Sequence, residues 1–196
     1  LPLNSSPVIK ALTDVTVKED EFSTITLSAT DVDGDAITYS AVSDTNAVAA
    51  SISSDTLTLT LKADWNGIAT ITAYALDGSL KDSTSFTLTV TPVNDAPVIA
   101  AVSNDSTTEE TEKIIVLDVS DVDGDALIYT STSDTSGVAI TISSDTLKLT
   151  PALNFTGTSA ITVIVSDNEL TDTTKFDFKV INVNDAPVIA SVSDGE

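Results

Sequence analysis

Asp31, Asp33 and Asp35 stand at alternate positions around Gly34, and Asp121, Asp123 and Asp125 repeat them around Gly124 at a 90-residue offset. Alternate positions of an extended chain point the same way, so the first two carboxylates of each run can close on one cation. Asn94-Asp95-Ala96-Pro97-Val98-Ile99-Ala100 returns at the same offset as Asn184-Asp185-Ala186-Pro187-Val188-Ile189-Ala190. The chain has no His and no Cys, which removes the usual general base, thiol chemistry and the softer metal ligands. What remains is a set of hard oxygens, and hard oxygens favour calcium or magnesium. The runs are not EF-hand loops: Gly34 stands fourth rather than sixth, and the twelfth position is Val42, which has no side-chain oxygen. An ordinary solvated turn is the competing explanation of either run taken alone.

Formal net charge is −22, from 30 acidic and 8 basic residues. That balance disfavours nucleic acid and anionic membrane as partners, since both need a cationic face. Carboxylates gathered in one place repel, and a divalent cation relieves the repulsion. Disorder is opposed by 41% hydrophobic residues in strict alternation. No signal peptide and no apolar run of membrane length is visible, so no membrane insertion of this segment is expected.

The elements that must carry these acids have period two. Thr24 to Ala29 alternates, as do Leu57, Leu59 and Leu61 with their threonines, and Phe86, Leu88 and Val90 share one face. The second copy repeats this with Ile115, Leu117 and Val119; Ile161, Val163 and Val165; and Phe176, Phe178 and Val180. Abundant threonine suits the wet face of a sheet. In the first copy strands are expected near 8–12, 22–29, 37–42, 46–52, 56–61, 69–76 and 83–91, with turns at Asp33-Gly34, Asn66-Gly67 and Asp77-Gly78. The expected fold is all-β: two tandem seven-stranded Greek-key β-sandwiches joined end to end. Repeat one is expected to span 1–94, repeat two 95–184, and 185–196 is read as the start of a truncated third repeat or a tail. Trp65 and Phe155, at equivalent positions, are read as rings that plug one end of a core rather than as exposed stacking platforms. Tyr39, Tyr74 and Tyr129 are read the same way.

Asn94-Asp95 directly follows the last strand of copy one, and Pro97 holds the next stretch extended. A short Pro-containing join leaves little slack. A cation there would draw on Asn94 and Asp95 of the join and on Asp121, Asp123 and Asp167 of copy two. Copy one would add Glu19 and Asp20 if their loop lies at its far end. Calcium takes six to eight oxygens, and such a set can supply them.

On these residues the chain resembles tandem cadherin-like β-sandwich repeats, especially those of large bacterial surface proteins and adhesins. The resemblance implies that Asn94-Asp95-Ala96-Pro97 is the calcium linker, Asp121-Val122-Asp123 the Asp-X-Asp pair, and Asp167 the late Asp, with Asp77 its partner in copy one. It implies Glu19 as the Glu ligand, with Glu109 in copy two. It also puts Asp64 near the place of the Asp-Arg-Glu triplet, with Asn154 its counterpart. The linker departs from the cadherin form: Val93 precedes Asn94, the leading Asp is missing, and one Asn is lost before Ala-Pro. Fewer calcium ions per junction are therefore expected than in cadherins. At the opening end Asp31, Asp33 and Asp77 meet Ser5 where the inner join has Asp95, so that site is expected to be weaker. Asp185 lacks a following domain to complete its site.

Paired carboxylates can run glycoside hydrolysis. Here, however, the acids repeat by position and fall in connections, whereas a catalytic pair needs one concave pocket. A non-enzyme is expected: a calcium-rigidified spacer or stalk of an extracellular bacterial adhesin, whose partners are neighbouring repeats. The competing reading is a binding module for polysaccharide or for another copy of the protein, which the low aromatic content of 5% disfavours. Asn104-Asp105-Ser106 and Asn154-Phe155-Thr156 fit the glycosylation sequon and are given no functional weight.

Overall fold

A computed structural model describes residues 3–187 and Ile189. The expected third repeat at 185–196 lies mostly outside the described residues. The chain separates into two compact units, divided between Val93 and Asn94. Among the described residues no helix is long and apolar enough to cross a membrane.

Unit 1 contains β1 (Val8–Ile9), β2 (Val15–Lys18), β3 (Phe22–Thr26), β4 (Ala29–Thr30), β5 (Thr38–Ser43), β6 (Val48–Ser53), β7 (Thr56–Leu61), β8 (Gly67–Leu76) and β9 (Lys81–Thr91). A four-stranded sheet in the order β2-β9-β8-β5 faces a three-stranded sheet in the order β3-β7-β6, and β1 pairs with β4. Alternation does the work anticipated. Leu57 and Leu59 from one sheet and Ala69, Ile71, Ala73 and Leu88 from the other are fully buried, while intervening threonines face water.

Unit 2 repeats the plan with β10 (Val98–Ile99), β11 (Asp105–Thr108), β12 (Lys113–Val116), β13 (Val119–Ser120), β14 (Ile128–Ser133), β15 (Val138–Ser143), β16 (Thr146–Pro151), β17 (Gly157–Ser166) and β18 (Thr171–Ile181). Its sheets run β11-β18-β17-β14 and β12-β16-β15, with β10 paired to β13. Both units are thus β-sandwiches of Ig-like topology.

The seven strands expected per unit are divided into nine segments, because the first two are broken. In unit 1, β1 pairs antiparallel with β4, and the chain then crosses over so that β2 pairs parallel with β9. Sequence reading placed a single strand at 8–12 and missed Val15–Lys18. The half-buried Val15 and Val17 are the only apolar residues of a four-residue element, too few for a period to register.

Trp65 and Phe155 pack against the cores of their units. Tyr39 and Tyr129 do so too, but Tyr74 is half-buried outside that cluster, with Lys81 Nζ 4.9 Å from its ring centre. The two end rings are seated differently. A Cβ built on Gly137 would lie 2.1 Å from the Phe155 ring, whereas unit 1 has Ala47 at the matching position. Gly137→Ala should therefore drive the Phe155 ring from its seat and cost about 1–3 kcal/mol. Denaturant unfolding measures the cost, and a wild-type midpoint would show that the ring moves freely.

Candidate metal centre

Each unit gathers acids at the end where the chain enters and at the end where it leaves. At the exit end of unit 1 the parallel pairing of β2 with β9 sets Lys18 opposite Thr91. The Glu19 N–H then donates to the Thr91 carbonyl at 3.0 Å, which brings the Glu19 side chain beside Val93. Its Oε1 accepts the Val93 N–H, and its Oε2 accepts Asn66 Nδ2 at 3.2 Å. Glu19 is only 3% exposed. Asp20 Oδ1 accepts the Asp64 N–H at 3.3 Å, with Asp20 at φ 61° and Asp64 at φ 56°. Asp tolerates this left-handed backbone better than most residues, so the acid types and the backbone bends belong together.

Glu19, Asp20 and Asp64 thus share one end of unit 1. Sequence reading missed their neighbour Asn66, treated only as turn chemistry, because nothing local says which carboxylate its amide will meet. At the exit end of unit 2, Glu109 Oε1 accepts the Val183 N–H. Glu110 at φ 61° and Asn154 at φ 55° stand where Asp20 and Asp64 stand in unit 1. Asp185 is exposed just beyond, and Asn184 Nδ2 donates to its carbonyl at 3.4 Å.

At the entry end of unit 2 the Asp run folds into a tight loop. Asp121 Oδ1 accepts the N–H groups of Gly124 and Asp125 at 2.9 and 3.2 Å. Asp123 Oδ2 accepts the Asp95 N–H at 2.8 Å. Asp167 Oδ2 accepts Asn94 Nδ2 at 2.8 Å, and its Oδ1 takes the N–H groups of Glu169 and Leu170. Asn94, Asp95, Asp121, Asp123 and Asp167 therefore converge within this unit. Asp121, Asp123 and Asp125 each offer an oxygen, all within 4.8 Å of one another.

Unit 1 repeats the arrangement at its own entry end. Asp31 Oδ1 accepts the Asp33 N–H at 2.8 Å, Asp33 Oδ2 accepts the Ser5 N–H at 2.8 Å, and Asp77 Oδ2 accepts Asn4 Nδ2 at 3.0 Å. Ser5 takes the place of Asp95 and supplies the same backbone bond, but it brings no carboxylate.

One feature marks these loops off from solvated turns. Asp31 Oδ2 and Asp121 Oδ2, equivalent atoms of the two units, are buried and have no hydrogen-bond partner among the described residues. A carboxylate oxygen removed from water without a donor is costly. A cation removes that cost, and a donor set made of oxygens alone fits a hard divalent ion. Clusters of acidic residues here could coordinate a cation.

The Asp167 carboxyl is held below its ordinary value of 3.8, mainly by the Leu170 N–H, then by the Asn94 amide and the Glu169 N–H. Asp77 is lowered in the same way by Leu80 and Ser79, helped by Asn4. A depressed folded-state value means these groups stabilise the fold above pH 3.8, and that the contribution is lost as pH falls through the depressed value. An NMR titration should find Asp167 and Asp77 among the last carboxylates to protonate, and an ordinary midpoint for either would contradict these hydrogen bonds.

The acids recur at equivalent loop positions of the two units, in connections between strands. Among solved structures, human protocadherin-24 EC1-2 shares 18% identity over 91% of this chain and all of that one, at a TM-score of 0.52. That likeness shows the fold alone. The human desmocollin-1 ectodomain shares 16% over 92% of this chain and 42% of its own, at 0.42. An endo-fucoidan hydrolase of glycoside hydrolase family 107 shares 25% over 92% of this chain, at 0.40, and the chain spans only 28% of that protein's length. No curated protein sequence matches. The family described as Bacterial Ig domain matches residues 4–91 and again 94–179, one copy for each sandwich. The chain belongs to the bacterial Ig domain family.

Proposed function

We propose that this chain is a structural segment of an extracellular adhesin or surface protein, a spacer stiffened by calcium where one repeat passes into the next. The buried, unpartnered oxygen of Asp121, repeated at Asp31, supports this reading best. Asn94, Asp95, Asp121, Asp123 and Asp167 would hold the ion from unit 2, with Glu19, Asp20 and Asp64 as the contribution of unit 1. Val93, whose N–H donates to Glu19, is followed directly in the chain by Asn94, whose amide donates to Asp167. The matching set at the opening end, Asp31, Asp33 and Asp77, has Ser5 for Asp95 and would bind more weakly. Glu109 and Asp185 would serve a following repeat.

Calcium supplies charge neutralisation there. The protein's part is to present oxygens on backbone already fixed by hydrogen bonds, which limits the ordering cost of binding. Extracellular calcium modules bind at about 10⁻⁴ to 10⁻³ M, a range that leaves sites empty inside a cell and filled outside it. Small-angle scattering of the whole chain should give narrower distance distributions in calcium than in chelator. Asp95→Ala should blunt that change, and Glu169→Ala, on an exposed loop residue, should not. Identical scattering in calcium and chelator would sink the proposal.

A further inference from the structure

Asn66-Gly67 is the only Asn-Gly step in the chain. Gly67 carries no side chain to shield its backbone nitrogen, and Asn66 is exposed just ahead of β8. The pair Gly67–Val90 is the last rung of the β8–β9 ladder, so Gly67 has no rung beyond it on the Asn66 side. The glycine is also required there. Its φ is +143°, which L side chains rarely adopt, and a Cβ would lie 3.2 Å from the Trp65 ring. The fold therefore keeps a reactive step at the exit end of unit 1. Unit 2 has Thr156-Gly157 in the same place and carries no amide to react.

We propose that Asn66 is a site of spontaneous deamidation that converts the exit end of unit 1 to a more acidic form. The Gly67 nitrogen gives up its proton to hydroxide or water and attacks Cγ of Asn66. The Cγ–Nδ2 bond breaks, ammonia leaves, and a succinimide ring forms. Water then opens the ring at either carbonyl, giving aspartate or isoaspartate, so that one water is consumed and one ammonia released. The product loses the donor that Asn66 Nδ2 offers to Glu19 Oε2 at 3.2 Å and sets a second carboxylate against a buried one. Without metal the two repel, and with a cation they are joint ligands. The reaction stands on Asn66 and Gly67 alone, whereas its effect on calcium rests on the proposed function.

The test ages the full chain in mildly alkaline buffer and maps its peptides by mass. Loss of amide nitrogen should concentrate on the Asn66 peptide, with those of Asn46, Asn104 and Asn168 retained intact. Asn66→Gln should abolish it, because the longer side chain would have to close a larger ring. Conversion of Asn66 in the denatured chain but not in the folded one would overturn the proposal. A second arm compares Asn66→Asp with wild type. It should bind calcium more tightly and melt at a lower temperature in chelator. Unchanged calcium binding would leave the deamidation standing and count against a cation at this end of unit 1.

Discussion

Glu19→Ala should destabilise unit 1 by about 2 kcal/mol in chelator, since the Val93 N–H and the Asn66 amide lose a charged acceptor. It should also remove most of the stabilisation that calcium provides. If calcium stands at about a hundred times its dissociation constant, that stabilisation is about 2.7 kcal/mol in wild type. Glu19→Gln separates the two effects. Its amide oxygen can still accept from Val93, and Asn66 can turn to present its own oxygen to the new NH₂. The Gln variant should therefore unfold near wild type in chelator yet respond weakly to calcium. Melting curves of the three proteins with and without calcium decide it. A full calcium response in the Gln variant would show that Glu19 is a structural acceptor and no ligand.

The largest loss of stability should come from Phe178→Ala. Phe178 is the largest fully buried side chain among the described residues and sits on β18, within the unit 2 core. Removing a buried ring costs about 3–5 kcal/mol through lost transfer energy and the cavity left behind. Domains of this kind are stable by only about 5–15 kcal/mol, so unit 2 should lose a large fraction of its margin. The protein's single tryptophan, Trp65, packs on the core of unit 1 and gives a separate readout. Calorimetry should show one transition moved down, while Trp65 fluorescence should unfold at its wild-type midpoint. A matching shift in the fluorescence would mean that the two units unfold as one, against their division into separate cores.

Much of this protein could be read from local patterns. Alternation of Leu57 and Leu59, or of Ile161, Val163 and Val165, announces a strand because side chains on adjacent residues must face opposite ways. A 90-residue recurrence of Asp-Val-Asp-Gly-Asp and Asn-Asp-Ala-Pro announces two similar bodies and the acids each carries. The absence of His and Cys narrows any metal to one held by oxygen. All of these are properties of neighbouring residues, and the backbone geometry that expresses them is set within a few positions.

What the amino-acid order left open was decided by contacts far apart in the chain. Whether Glu19 belongs to the entry or exit end of its unit depends on the parallel pairing of β2 with β9, which joins Lys18 to Thr91. Val15 and Val17 would alternate in the same way in an antiparallel pair, so the direction of pairing is invisible in them. Asn66 meets Glu19 only because that pairing brings the end of β2 and the start of β8 to the same end of the sheet, on either side of β9. Likewise the spacing of the Asp runs shows that carboxylates cluster, but it does not show that one oxygen of Asp31 and one of Asp121 lose both water and donor. Burial depends on everything packed around an atom, and only the assembled sandwich brings those neighbours together.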